Sequence, residues 1–170
     1  DGNNISYNII TEFWKDTGTP NDIIYANKII LENMAHKLFG SMESDVLVKF
    51  PEKCSIGKNS VIRTRCTIIG PVIIGDDCYI GRDCIFDIMG KIILGNKVTI
   101  SHRAVLNTHT NAGKSPIANK TLINTSGEIK INDGAYLGSN VTVLESLVIG
   151  SQSIIGAKSL VNRNIHDHVI

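Results

Sequence analysis

The stretch CSIGKNSVIRTRCTIIGPVIIGDDCYIGRDCIF, Cys54 to Phe86, places a large apolar residue at Ile56, Ile62, Ile68, Ile74, Ile80 and Phe86. The step is six throughout. It extends back to Phe50 and, after a two-residue slip, forward to Leu94, Ile100 and Leu106. A long interruption follows, and the series resumes at Ile131, Leu137, Val143, Ile149, Ile155 and Val161. All sixteen positions are Ile, Leu, Val or Phe. Internal repeats of this kind decide the architecture before any local propensity does.

Two further signals keep the same phase. Glycine follows the apolar residue at Gly57, Gly75, Gly81, Gly95, Gly138, Gly150 and Gly156. Four places after the apolar residue stands a small or β-branched one: Ser60, Cys66, Val72, Cys78, Cys84, Val98, Ala104, Thr110, Ala135, Val141, Ser153 and Ser159. All four cysteines (Cys54, Cys66, Cys78, Cys84) fall in this slot, and none forms a C-x-x-C pair or a zinc-like spacing. They read as small packing residues.

The pattern predicts an all-β coil with three flat faces, one hexad per face and eighteen residues per turn. The apolar residue points inward and stacks on its counterparts ~4.8 Å above and below. Small residues at the corners suit tight turns, so the glycines are expected to serve the backbone there. Five turns are expected, over residues 56–73, 74–93, 94–111, 131–148 and 149–166, with one long loop at 111–128. The predicted organisation is a helical cap segment over 1–45 and a β-helix domain over 46–170. Within the cap, Asn21-Asp22 is expected to start a helix, Ile23, Ile24, Ile30, Leu31, Met34, Ala35 and Leu38 form its apolar stripe, and Gly40 ends it. A solenoid end exposes core and strand edges, so such a segment is expected to cover it.

Composition narrows the partners. Seventeen basic and sixteen acidic residues leave a formal net charge of +1, which gives no electrostatic case for nucleic acid or a membrane surface. No apolar run reaches the ~18 residues that span a bilayer, and no signal-peptide pattern opens the chain. A cytoplasmic location is the default expectation.

The repeat breaks badly only between Asn111 and Glu128, in a polar segment rich in Asn, Thr and Ser. Solenoids tolerate insertions at corners, and functional loops concentrate there. Immediately before it lies Asn107-Thr108-His109-Thr110-Asn111. This NTHTN stretch, the loop, and IKINDGAYLGSNVTVLESLVIGSQSIIGAKSLVNRNI after it resemble the sugar and xenobiotic O-acetyltransferases of the hexapeptide-repeat family. The resemblance implies a left-handed β-helix and acetyl-CoA as cosubstrate with no metal. It also implies a homotrimer and a small hydroxylated acceptor.

By the same resemblance His109 corresponds to the family's catalytic histidine, whose imidazole can take a proton from an acceptor hydroxyl attacking a thioester. Gly138 and Ser139 correspond to positions near the thioester, where an N–H or hydroxyl can stabilise an oxyanion. Ala157, Asn162 and Arg163 correspond to the pantetheine and phosphate path. Lys158 stands where the family usually has Gly, and is either a phosphate contact or a solvated side chain. Asp87 and Asn107 are candidates for positioning the acceptor; Asp87, one turn before His109 on the same face, can instead orient His109 or serve the corner structurally. Tyr136 replaces the usual Trp, and Glu145-Ser146 the usual Pro-Gly.

The expected reaction is direct O-acetyl transfer, since no Ser or Cys sits in a nucleophile arrangement. N-acetylation of an amino sugar or antibiotic uses the same parts. A metalloenzyme of the γ-carbonic-anhydrase type would need a third histidine beside His102 and His109. A non-catalytic scaffold would leave His109 and the loop without purpose. A sugar nucleotidyltransferase would need an N-terminal nucleotide-binding domain larger than the cap segment.

Overall fold

The computed structural model describes residues 18–33, 40–110, 115–121 and 125–170. Successive strands take turns among three parallel sheets, the arrangement of a parallel β-helix. The first face holds β1 (Ser41–Met42), β4 (Val61–Ile62), β7 (Tyr79–Ile80), β10 (Thr99–Ile100), β13 (Tyr136–Leu137) and β16 (Ile154–Ile155). The second holds β2 (Leu47–Val48), β5 (Thr67–Ile69), β8 (Ile85–Asp87), β11 (Val105–Asn107), β14 (Thr142–Val143) and β17 (Leu160–Val161). The third holds β3 (Cys54–Ile56), β6 (Val72–Ile74), β9 (Ile92–Leu94), β12 (Ile129–Ile131) and β15 (Leu147–Ile149). Ile165 closes the last turn by bridging to Ile149.

There are six coils rather than the five expected. The extra one is the first, β1 to β3. Its inward residues on the first two faces are Met42 and Val48; the step from Val48 to Ile56 is eight, so both stand out of phase with the series that begins on its third face. Phe50 is the one member of the series of sixteen that does not join the buried stack. Pro51 starts a 3-10 turn (Pro51–Lys53) that turns Phe50 outward, where the Lys49 and Lys53 ammonium groups sit 5.5 and 4.9 Å from its ring centre.

The corner glycines serve a different purpose from the one expected. None of the seven in the repeat phase has positive φ. A Cβ on Gly75 would lie 2.5 Å from the Gly95 carbonyl oxygen, and one on Gly138 would lie 2.6 Å from the Ala157 nitrogen. At six of the seven, glycine is required because neighbouring coils approach backbone to backbone; beside Gly156 the nearest atom, Ser159 Oγ, is 3.7 Å away. The left-handed corner conformation falls instead on Asn59, Arg65, Asp77, Asp83, Lys97, Arg103, Asn140, Ser146, Gln152 and Lys158, with φ between 53° and 64°.

The small slot is also more than filler. The Ser60 hydroxyl donates to the Gly75 carbonyl at 2.7 Å, and the thiols of Cys66, Cys78 and Cys84 donate to Gly81, Gly95 and Ser101 carbonyls at 2.9, 3.0 and 3.2 Å. These buried donors satisfy corner carbonyls that the ladders leave over. All four cysteines are free. Burial pushes the Cys54 thiol up to about 11 and also raises Cys78. Thr110 and Ser159 depart from the slot, both being half-buried; Thr108 is the buried residue beside His109.

At the N-terminal end, α1 (Pro20–Asn33) begins one step earlier than expected. Thr19, not Asn21-Asp22, caps it: its hydroxyl accepts from the Asp22 N–H at 3.2 Å and donates to the Asp22 carboxylate at 2.6 Å. Pro20 fills the first helical position, where no N–H is needed. Ala26 is buried, while Ile23 and Ile24 remain 50% and 40% exposed beside Ser44–Leu47. Met34, Ala35 and Leu38, and the side chains of Ile30 and Leu31, lie outside the described residues. No helix among the described residues is long and apolar enough to cross a membrane.

A candidate active site at the neck of the loop

The corner between the second and third faces is where the chain departs from the coil. In the third coil it is the four residues Ile88–Lys91 between β8 and β9, two more than in the second coil; in the fourth it carries the whole loop, between β11 and β12. Thr108 joins the two. Its hydroxyl is buried and accepts from the Met89 and Gly90 N–H groups at 2.8 and 2.9 Å.

The loop leaves and returns as a short antiparallel neck. His109 bridges Ser126, the Thr110 N–H donates to the Thr125 carbonyl at 2.8 Å, and the Gly127 N–H donates to the Thr108 carbonyl at 2.9 Å. A four-residue helix, α2 (Ala118–Thr121), lies within the loop. Side chains alternate along extended backbone, so with Thr108 buried inward, Asn107 and His109 share the outward side. Asp87 pairs in register with Asn107, not with His109.

Glu145 reaches this neck from the next coil. One carboxylate oxygen accepts from the hydroxyls of both Thr110, at 2.8 Å, and Thr125. Thr125 first, then the backbone amide of Glu145, the Thr110 hydroxyl and the charge of His109 hold its carboxyl below the usual carboxylate range. Three buried polar atoms here lack a hydrogen-bond partner among the described residues: Asn107 Oδ1, His109 Nδ1 and Glu145 Oε2. Unpartnered buried polar atoms are rare and costly. Sequence reasoning singled out His109, Asn107 and Asp87 but treated Glu145 only as a departure at a corner. A carboxylate where the family usually has proline was the signal available.

The residues matched to the donor lie on the fifth and sixth coils. Gly138-Ser139 and Ala157-Lys158 stack at the corner between the first and second faces, the Lys158 N–H donating to the Ser139 carbonyl at 2.8 Å. Ser139 Oγ also meets His102 Nδ1 at 3.3 Å. Asn162 and Arg163 are exposed beyond β17, across the second face from that corner. Within one chain, therefore, His109 and Ser139 occupy opposite edges of the second face. A strand of three residues separates them by roughly 10 Å or more. Among the described residues no three His, Cys, Asp or Glu side chains converge as a metal site would require.

Residues 53–86 match the model described as bacterial transferase hexapeptide (six repeats). These residues span the second coil and the flanking parts of the first and third in the six-coil parallel β-helix. Its sequence is similar to the putative colanic acid biosynthesis acetyltransferase WcaF of Escherichia coli, 30% identical over 68% of this chain and 62% of the relative. It is similar also to the bifunctional protein GlmU of Lawsonia intracellularis, 31% identical over 74% of this chain and 26% of the relative. The chain thus spans between about a quarter and about three-fifths of the length of these curated relatives. A third relative, the galactoside O-acetyltransferase of Lactococcus lactis, is 34% identical over 46% of this chain and 38% of its own length. In fold the chain resembles AntD, an N-acyltransferase from Bacillus cereus, with a TM-score of 0.70 at 19% identity over 82% of this chain and 80% of that one.

Proposed function

We propose that the chain is an acetyl-CoA-dependent O-acetyltransferase acting on a sugar or other small hydroxylated acceptor. The observation that carries the reading is the neck of the loop, where His109, Asn107 and Glu145 each present a buried polar atom without a partner. The relatives support acetyl transfer to sugar-related acceptors: one is a galactoside O-acetyltransferase and another a colanic acid biosynthesis acetyltransferase.

His109 Nδ1 is the buried ring nitrogen, so the working tautomer carries its proton there. That leaves Nε2 as the base. It takes the proton of the acceptor hydroxyl as the oxygen attacks the thioester carbonyl carbon. The tetrahedral oxyanion is met by a donor at Gly138-Ser139. Collapse expels the coenzyme A thiolate, which the imidazolium protonates. Glu145, held as a carboxylate, stabilises the imidazolium while the proton resides there. The separation of His109 from Ser139 across one face is met by assembly. In a homotrimer one subunit's histidine edge faces the neighbour's Ser139 corner, with acetyl-CoA along Ala157, Lys158, Asn162 and Arg163 between them.

An amine acceptor is the second reading. AntD, the neighbour in fold, is an N-acyltransferase bound in one structure to dTDP and 3-hydroxybutyryl-CoA. The test is an acetyl-CoA consumption screen across sugars, amino sugars, amino acids and antibiotics, with product mass and linkage determined for each active acceptor. Ester products support the proposal. Exclusive amide products move the assignment to N-acetylation, and no turnover with any acceptor, together with no coenzyme A binding, overturns it.

A further inference from the structure

The corner between the first and second faces carries an unusual column of charge in its second to fourth coils. Each turn there is a residue pair, Thr64-Arg65, Arg82-Asp83 and His102-Arg103, with the second residue at φ 57° to 59°. The Asp83 N–H donates to the Thr64 carbonyl at 3.1 Å and the Arg103 N–H to the Arg82 carbonyl at 2.9 Å. The turns are therefore in register, and side chains on neighbouring turns emerge about 5 Å apart.

Arg65, Arg82 and Arg103 line one groove of about 510 Å³ with His102, Tyr79 and Asp83. The single carboxylate among them is taken. Arg65 grips Asp83 through two hydrogen bonds of 2.7 and 3.0 Å, and this pairing first, then Arg103 and Arg82, holds the Asp83 carboxyl below its usual range. Arg82 and Arg103 have no ion-pair partner among the described residues. In a protein with a formal net charge of only +1, two unpaired guanidiniums in one groove are a local feature. The floor is backbone, since a Cβ on Gly81 would lie 2.7 Å from the His102 nitrogen. One wall is the half-exposed ring of Tyr79.

Guanidinium forks match the oxygens of phosphate with two parallel hydrogen bonds, which is why paired arginines recognise phosphate esters. The groove also leads somewhere. His102, on its rim, reaches Ser139 Oγ one coil further on. A group anchored on the arginines therefore projects its remainder toward the corner assigned above to the thioester.

We propose that this groove binds a phosphate or diphosphate group carried by the acceptor, so that the acceptor class is a phosphorylated sugar. The proposal rests on the acetyl-transfer reading for the identity of the ligand as acceptor, and on the groove alone for its anionic chemistry.

The experiment measures binding, so it does not depend on turnover. Inorganic pyrophosphate is titrated calorimetrically into the wild type, His109→Ala, and the double variant Arg82→Gln/Arg103→Gln, which keeps the Arg65–Asp83 pair. Coenzyme A is titrated with and without saturating pyrophosphate. Pyrophosphate should bind the wild type and His109→Ala equally and bind the double variant at least tenfold more weakly. Coenzyme A should bind all three alike, and pyrophosphate should not displace it. Absence of pyrophosphate binding to the wild type, or equal binding to the double variant, would overturn the groove. Displacement of pyrophosphate by coenzyme A would assign the arginines to the donor and overturn the acceptor proposal. The failure of every acceptor in the transfer screen, with pyrophosphate binding still lost in the double variant, would sink the transfer reading and leave the anion site standing.

Discussion

Thr110 donates its hydroxyl hydrogen to Glu145 across 35 positions of sequence, at 2.8 Å, and so ties the departing strand of the loop to the coil that follows it. Thr125 on the returning strand donates to the same oxygen. Glu145 is therefore the clasp of the loop and the neighbour of His109. Its carboxyl titrates lower in the folded chain than the ordinary 4.5 of a glutamate. A carboxyl so lowered adds stability that is fully present above the unfolded value and is lost as pH falls through the folded one. The stability difference between wild type and Glu145→Gln should be constant above about pH 6 and shrink below pH 4.5. Denaturant melts of both proteins across this range measure it; a difference independent of pH would refute the clasp's charge.

Glu145→Gln should also lower kcat more than it alters the Michaelis constant for acetyl-CoA, because Glu145 acts through His109 and not on the donor. A shift in the pH profile of kcat/KM, absent from a merely structural lesion, distinguishes the two.

His109→Ala should reduce turnover by ~10²–10⁴ while leaving coenzyme A affinity and the fold intact. Stopped-time product assays beside calorimetric coenzyme A titration check both halves. Activity within a few-fold of wild type would remove His109 from the mechanism.

The second face carries an outward column in which Leu47, Thr67, Ile85, Val105, Thr142 and Leu160 pair in register, and Leu47, Ile85 and Leu160 are exposed. Packing of this column against a neighbouring subunit predicts a mass of three chains of 18.5 kDa by light scattering. Ile85→Glu should dissociate the assembly and abolish transfer together. An active monomer would contradict the shared site.

Lys158 and Ser146 hold φ of 64° and 62°, where the family usually has glycine and a Cβ is strained. Lys158→Gly should raise stability by about 1 kcal/mol, read as a higher denaturation midpoint. Gly75→Ala should do the opposite, by about 1–3 kcal/mol, since its Cβ would meet the Gly95 backbone of the next coil.

The coil was legible because each hexad declares itself independently: Ile62, Ile80, Ile100 and Leu137 stack in one buried column and stand out by period alone. The first coil was not, because the eight-residue step from Val48 to Ile56 puts Met42 and Val48 out of phase with the series. The glycines themselves were found but misread, since a backbone contact between Gly75 and Gly95 leaves no trace in local sequence. His109 was visible through its place before the loop. Glu145 was not, because its meaning arises only when Thr110 and Thr125 are brought to it from distant parts of the chain. The arginine column was hidden for a related reason: Arg65, Arg82 and Arg103 are scattered in sequence and adjacent only through the rise of the coil.

That rise has a consequence for how the molecule comes apart. Each strand pairs only with the strands one coil before and after it, so the coils form a line of nearest neighbours and not a mutually braced cluster. Free energy in such a line is carried at the junctions, and an end coil has one junction where an inner coil has two. Leu137 and Val143 in the fifth coil are fully buried, whereas Ile155 and Val161 in the sixth retain 7% and 4% exposure. The loop neck lies at the junction of the fourth and fifth coils, next to the junction of the fifth and sixth. A change at one junction is therefore felt first by the two coils that it joins: His109 and Glu145 share the junction of the fourth and fifth, and Ala157, Lys158 and Arg163 stand on the sixth beside the junction with the fifth.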